Sequence, residues 1–282
     1  MLPAEDDGAL NYALEVSYDG GYFSGWQSQP DGSGVQDALE RALYALGESG
    51  DQGASRLPHR VDGAGRTDAG VHARAQIASV RLLKQWVPRR LVPALNARLP
   101  EAVSVMRAAL APPGFHARRS AVLREYRYFI WNSSVCYPHI RRYVLWQPGT
   151  SYDWKRAAHA AGAFVGRHDF RAFCRTRDVP GSTVRDVFRS SLHARGNLIV
   201  FRVMANAYLA NMVRIMTGCL MEIARGRFDE ARLSHLLSGG AVRAENAATP
   251  PPSGLFLWKV GYPDVIEWDA PSRPITAALR NR

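Results

Sequence analysis

The sequence predicts an α+β protein of two halves of similar make-up, each with largely antiparallel strands and helices packed on them. Three observations carry this. Strand-like segments alternate apolar and polar residues with a period of two. The helical segments are few and do not follow the strict strand–helix–strand order that a parallel sheet requires. Ala111-Pro112-Pro113-Gly114 stops helix and ladder alike and marks the boundary between halves. The expected organisation is a tail over 1–9, an N-terminal α+β domain over 10–111, a C-terminal α+β domain over 112–263 and a tail over 264–282.

The elements follow in order. Tyr12, Leu14, Val16 and Tyr18 alternate, predicting a half-buried strand that ends at the Asp19-Gly20-Gly21 turn. Val35, Leu39, Leu43 and Leu46 recur at helical spacing, predicting an amphipathic helix over 35–46. A polar, glycine-rich surface loop is expected over 47–60, a strand over 76–82, and a helix from Pro88 kinked at Pro93. Val103–Met106 reads as a short strand. In the second half, strands are expected over 122–131, 185–193, 198–204 and 255–260, the last introduced by Pro250-Pro251-Pro252. Helices are expected over 154–164, 208–224 and 229–237. The residues from 264 read as a loose tail.

Composition narrows the classes. With 46% hydrophobic and 22% charged residues, the 282-residue chain is globular rather than disordered or coiled-coil. Cys136, Cys174 and Cys219 are odd in number and widely spaced, which excludes a disulfide scaffold and a Cys-x-x-Cys site and favours a reducing compartment. The start, Met1–Gly8, is acidic and leads into no apolar run, so no signal peptide is expected. The longest apolar candidate, Leu198–Ala224, is broken by Arg202, Asn206, Asn211, Arg214 and Glu222. A cytoplasmic protein is expected.

Charge points to a partner. Residues 1–50 hold one basic residue against nine acidic ones, a net of −8, whereas the remainder holds 35 against 16, a net of +19. A surplus of that size attracts polyanions, nucleic acid first among them. Thirty-three of the 36 basic residues are arginines, the better phosphate forks and base-stacking cations. A GC-rich coding sequence would account for the arginine-to-lysine ratio but not for the surplus.

The most unusual segment is Asp62-Gly63-Ala64-Gly65-Arg66-Thr67-Asp68-Ala69-Gly70-Val71-His72-Ala73. Three glycines in eight residues specify a tight loop open to close approach by a ligand. No Gly-Lys-Ser/Thr follows, so it is not a Walker loop, and the third glycine falls too late for a dinucleotide fingerprint. The loop presents Arg66 and Asp68 instead. Taken alone, an aspartate in such a loop is more often only a turn former or helix cap.

Residues 65–73 resemble the signature of the TruA-type tRNA pseudouridine synthases, and the resemblance extends from about Tyr12 to Tyr262. Tyr18-Asp19-Gly20, Gly25-Trp26-Gln27 and Val35-Gln36 are similar to the family's opening strand, turn and first helix. Phe115-His116-Ala117-Arg118 and Arg124-Glu125-Tyr126-Arg127-Tyr128 resemble the start of its second half. Gly166-Arg167-His168-Asp169-Phe170, Thr183-Val184-Arg185, Met212-Val213-Arg214 and Gly254-Leu255-Phe256-Leu257 follow in the expected order. The resemblance implies the pseudouridine synthase fold, with a catalytic cleft between its halves. It implies isomerisation of uridine at positions 38–40 of the tRNA anticodon arm, by a homodimer, with no cofactor and no metal. By the same resemblance Asp68 is the nucleophile that attacks the target uridine and Arg66 fills the gap left by the extruded nucleotide. Tyr126 packs on the uracil ring, and Arg214 is the partner of the catalytic carboxylate.

The residues are consistent with those roles. Enclosing a carboxylate against a base disfavours its charge, and an adjacent guanidinium opposes that; Arg66 and Arg214 are the candidates. On a helical wheel for 208–224, Leu209, Met212, Met216, Cys219, Leu220 and Ile223 form one stripe, with Arg214 and Gly218 opposite. Gly218 leaves room beside Arg214 for close packing; without the resemblance, Arg214 would read as a solvated helix residue. Alternation puts Arg124, Tyr126 and Tyr128 on one strand face, suited to stacking and phosphate contact, although a face packed under a helix explains Tyr128 equally well. Arg118, Arg119, Arg141, Arg142, Arg175 and Arg177 are candidate phosphate contacts. Structural hydrogen bonding is expected for His72 and His168, and core positions for Trp26, Phe170 and Phe173.

Three departures from the family pattern stand out: Ser28 for a basic residue, Ala210-Asn211 for bulkier residues before Met-Val-Arg, and the length of the 47–60 connection. Zinc deaminase chemistry is excluded by the absence of His-x-Glu and Pro-Cys-x-x-Cys. The alternative is a non-catalytic RNA-binding protein on the same scaffold, for which an altered Asp68 would have spoken.

Overall fold

A computed structural model of the chain describes residues 8–48, 60–112, 114–149, 152–263 and 266–268. It divides into two compact units. The first comprises 1–67, 73–121 and 262–282; the second comprises 68–72 and 122–261.

In the first unit, β1 (Leu10–Tyr18) is followed by α1 (Val35–Tyr44), β2 (Asp62–Gly63), β3 (His72–Leu82), α2 (Pro88–Asn96) and β4 (Val103–Leu110). β1 is the centre of an antiparallel sheet, pairing with β3 from Leu10↔Leu82 to Tyr18↔Ala73 and with β4 from Tyr12↔Leu110 to Tyr18↔Val103. Its alternation does what a half-buried strand requires: Tyr12, Leu14, Val16 and Tyr18 are all buried. The buried face of α1 is Val35, Ala38, Leu39, Ala42 and Leu43, and α2 contributes Leu91 and Leu95. Pro93 lies inside α2, as expected.

In the second unit, β5 (Leu123–Trp131) pairs with β10 (Leu255–Gly261) on one side and β9 (Leu198–Ala205) on the other. β9 pairs with β8 (Val184–Arg195), and β8 with β7 (Gly166–Asp169). All these pairs are antiparallel; the short β6 (Leu145–Trp146) joins β5 in parallel. The helices are α3 (Trp154–Ala161), α4 (Met212–Ala224) and α5 (Glu230–Leu237). Mixed helices and mostly antiparallel strands make the fold α+β. Among the described residues no helix is long and apolar enough to cross a membrane.

Several details differ from the sequence reading, among them these. Residues 114–121 group with the first unit rather than opening the second. Asn11 Nδ2 donates to the Phe115 carbonyl at 2.8 Å, the Ala117 backbone amide donates to Ser79 Oγ at 3.0 Å, and Phe115 packs on Tyr262. The tail expected from 264 is anchored where it is described: Ile266 is buried with Ala13 and Ala109, and Trp268 packs against them. α4 begins at Met212, not 208, because Asn211 has φ +63°, which no right-handed helix accommodates. α4 is also enclosed almost all round, with only Arg214 and Glu222 short of full burial, so a single core stripe understates its packing. Trp26, Phe170 and Phe173 are core residues. The tails over 1–7 and 269–282, and the loop over 49–59, lie outside the described residues.

Candidate active site

The loop leading to Asp68 is clamped by polar side chains of its own unit. β2 pairs with β3 through Asp62↔Ser79, and the Ala64 amide donates to the Ile77 carbonyl at 2.7 Å. Gln76, completely buried, serves both backbone groups of Gly65: its Oε1 accepts from the amide at 3.3 Å and its Nε2 donates to the carbonyl at 2.7 Å. The Thr67 carbonyl accepts from the Trp26 amide at 3.0 Å, and its hydroxyl is 2.8 Å from that of Tyr18. Burial pushes the Tyr18 phenol well above its ordinary range, so it stays protonated, against smaller opposing effects of Thr67 and Gln76. Arg66, on this hydrogen-bonded segment, is exposed.

Asp68–His72 belongs to the second unit. The Val71 amide closes a turn on the Asp68 carbonyl at 3.1 Å, and Gly70 takes φ +78° within it. His72 anchors the end of the turn by stacking on Phe256, with centroids 4.6 Å apart, and meeting Tyr143 edge-on. Ring packing is therefore what the structure shows at His72, where hydrogen bonding was expected. His168 does hydrogen-bond, its Nε2 lying 3.0 Å from the Val165 carbonyl.

The structure brings two of the four expected residues into direct relation. Arg214 Nη1 lies 3.9 Å from Asp68 Oδ2; the arginine side chain is 15% exposed and the carboxylate 41%. The guanidinium is held by its first-turn position on α4 and by two fixed acceptors. Nε donates to the Pro250 carbonyl at 2.9 Å, and Nη1 donates to Asn211 Oδ1 at 2.8 Å. Burial lowers the Arg214 pKa, and the charge of Asp68 opposes that, with a smaller effect from Tyr128 in the same direction. A pair this exposed contributes at most about 1 kcal/mol to stability. Its value is local: a fixed positive charge beside a carboxylate that still faces outward.

Tyr126 lies on β5, between Val203 of β9 and Leu257 of β10, and is buried. Its ring meets Tyr208 edge-on at 5.0 Å. Tyr128, two residues on and on the same face, is fully buried and donates its hydroxyl to the Pro251 carbonyl at 2.6 Å. Its pKa is raised by burial and opposed by the charge of Arg214. Arg124 differs from the expectation of a phosphate-binding residue: it is buried, and its Nη1 donates to the Asn206 carbonyl at 2.7 Å.

Sequence reasoning missed three contributors. Gln76 read only as the start of a strand. Asn211 read as a departure, yet it holds Arg214. Arg175 stood only among phosphate contacts, but besides its bond to Asp178, which chiefly raises its pKa, it is raised further by the Asp68 charge. A second guanidinium therefore lies within Coulombic range of the carboxylate. All six arginines expected to contact phosphate are exposed. Among the described residues no three His, Cys, Asp or Glu side chains converge as a metal site requires.

A family model described as tRNA pseudouridine synthase matches residues 15–118 and 160–263. A tRNA pseudouridine synthase A of Gloeobacter violaceus is 38% identical over 252 residues, 89% of this chain and 80% of that protein. One of Paraburkholderia phymatum is 38% identical over 92% of this chain and 93% of its own length, and one of Ralstonia nicotianae 38% over 95% and 94%. With both matched segments lying across the two units just described, and relatives aligned nearly end to end, this chain belongs to the tRNA pseudouridine synthase family.

Proposed function

We propose that this chain isomerises uridine to pseudouridine in tRNA, at positions 38–40 of the anticodon arm, with Asp68 as the catalytic nucleophile. The observation that carries the reading is the half-exposed Asp68 carboxylate held 3.9 Å from the largely covered guanidinium of Arg214. The reaction breaks the bond from N1 of uracil to the ribose, turns the base and rejoins it through C5. The proton leaving C5 is balanced by one gained at N1, so there is no net oxidation or hydrolysis. A carboxylate starts it, and the neighbouring guanidinium places a positive charge beside that nucleophile.

The target base must leave its stack, at a cost of a few kcal/mol. Arg66, two residues before the nucleophile and exposed, offsets part of that cost by stacking in the vacancy. Tyr126 presents its ring to the everted uracil, and the exposed arginines hold phosphates. The chain acts as a homodimer in the cytoplasm, without cofactor or metal.

The test maps pseudouridine in tRNA from cells lacking this protein, and from the same cells supplied with the parent or with Asp68→Asn. Loss at positions 38–40, restored by the parent alone, is expected. Purified Asp68→Asn should bind tRNA within a few-fold of the parent. Loss confined to the acceptor or D arm, or a fully active Asp68→Asn enzyme, would refute the proposal.

A further inference from the structure

Four contacts around the catalytic pair converge on one short stretch of chain, Pro250-Pro251-Pro252. The Pro250 carbonyl accepts from Arg214 Nε at 2.9 Å. The Pro251 carbonyl accepts from the Tyr128 hydroxyl at 2.6 Å. The Pro252 ring closes on the Asp68 turn, its Cγ lying 2.7 Å from where a Cβ on Gly70 would stand. Gly218, one helical turn after Arg214, admits the stretch: a Cβ there would lie 2.3 Å from the Ala248 carbonyl and 3.2 Å from Pro250 Cδ.

We infer that Pro250–Pro252 is the positioning element of this site, seated by Tyr128 and Gly218, and that it fixes Arg214 and the Asp68 turn relative to each other. The inference rests on the reading of Asp68 as catalytic. Consecutive prolines suit the task for three reasons. Their φ is fixed, so the stretch holds its shape without a sheet partner. They have no N–H, so the carbonyls are the only backbone hydrogen-bonding groups. Pro251, at φ −54° and ψ 153°, is close to polyproline II, in which successive carbonyls turn by a third of a circle. One carbonyl can therefore meet α4 while the next meets β5. Tyr128 is a hydrogen-bond donor here and not a proton carrier, since burial keeps its phenol protonated. Tyr128, Gly218, Pro250 and Pro252 are positioning residues acting through Arg214 and Asp68.

The experiment compares the parent, Tyr128→Phe, Pro252→Ala, the double variant and Asp68→Asn, in single-turnover conversion of tRNA at saturating enzyme, with the tRNA Kd measured separately. Tyr128→Phe keeps the ring and removes the bond to Pro251; its rate constant should fall roughly five- to tenfold with Kd unchanged. Pro252→Ala should act likewise. If both loosen one brace, the double variant should lose less than the product of the single losses. Should Tyr128→Phe fail to fold, Pro252→Ala carries the same expectation. Parental rates in the single variants, fully multiplicative losses, or a rate loss matched by a loss of affinity would overturn the inference. An active Asp68→Asn enzyme overturns both this and the catalytic reading; an inactive one beside a full-rate Tyr128→Phe overturns the brace alone.

Discussion

Asp68 and Arg214 stand 3.9 Å apart, within ion-pair range but beyond a hydrogen bond, while the same guanidinium makes hydrogen bonds of 2.9 and 2.8 Å to Pro250 and Asn211. Arg214 is thus anchored elsewhere and lends Asp68 its charge without occupying the carboxylate. A planar fork can do this and a single ammonium cannot. Arg214→Lys should therefore lose at least about tenfold in kcat, a barrier increase of ~1.4 kcal/mol, although it keeps the charge. Steady-state kinetics check this; parental kcat in the lysine variant would mean that charge alone suffices.

Asn211 carries a left-handed backbone and one of the two anchors of Arg214. The two roles separate by substitution. Asn211→Gly relieves the backbone and removes the anchor, whereas Asn211→Ala removes the anchor and adds about 1–2 kcal/mol of strain. Both variants should lose isomerisation to a similar degree, but only the alanine variant should show a clearly lowered denaturation midpoint. Equal midpoints would place no strain at this residue.

The elements most legible from sequence were those whose burial is periodic. β1, β5 and β9 and helix α1 lie within a few residues of their expected bounds because alternation and helical spacing report which face is covered. The start of α4 was not legible, because one left-handed asparagine overrides apolar spacing over 208–211. The division between units was placed at the proline pair 112–113, whereas residues 114–121 group with the first unit through contacts with Asn11 and Ser79. At the site, the pairing of Asp68 with Arg214 was legible through the resemblance. Pro250–Pro252 was read only as the approach to a strand. Backbone carbonyls are identical in every residue, so which of them will face a guanidinium leaves no mark in composition or spacing.

Gln76 clamps Gly65 by donating to its carbonyl and accepting from its amide, which only a correctly turned amide side chain can do. Gln76→Glu keeps the size and the acceptor but sets an acceptor against the Gly65 carbonyl. It should cost about 1–3 kcal/mol and lower the rate of isomerisation by loosening the loop before Asp68. Chemical denaturation alongside the activity assay checks both. A glutamate variant as stable as the parent would show that the donated bond carries no weight.

Tyr126 is assigned to stacking, and its ring is already set edge-on to Tyr208. Stacking needs the ring and not the hydroxyl, so Tyr126→Phe should stay within about threefold of the parent. Tyr126→Leu, which keeps bulk but loses the π-face, should lose the ~1–3 kcal/mol typical of a base–aromatic stack. The loss should appear in conversion of bound tRNA more than in overall affinity, since most of that comes from phosphates. Equal losses in the two variants would point to a role for the hydroxyl.

The exposed arginines should make tRNA binding strongly salt-dependent, with log K falling linearly against log salt concentration. They are not equivalent. Arg141 lies over the Trp146 ring at 4.5 Å, and Arg175 is paired with Asp178. If Arg119 and Arg177 each contact one phosphate, replacing either with alanine should reduce the slope by about one and weaken binding to all tRNAs alike. Asp178→Asn works in the opposite direction, because it releases Arg175 from its carboxylate and removes a negative charge near the approaching backbone. Tighter binding at low salt and a steeper slope are expected from that variant. An unchanged slope would mean that Arg175 stays with residue 178, or turns to Asp68, when tRNA is bound.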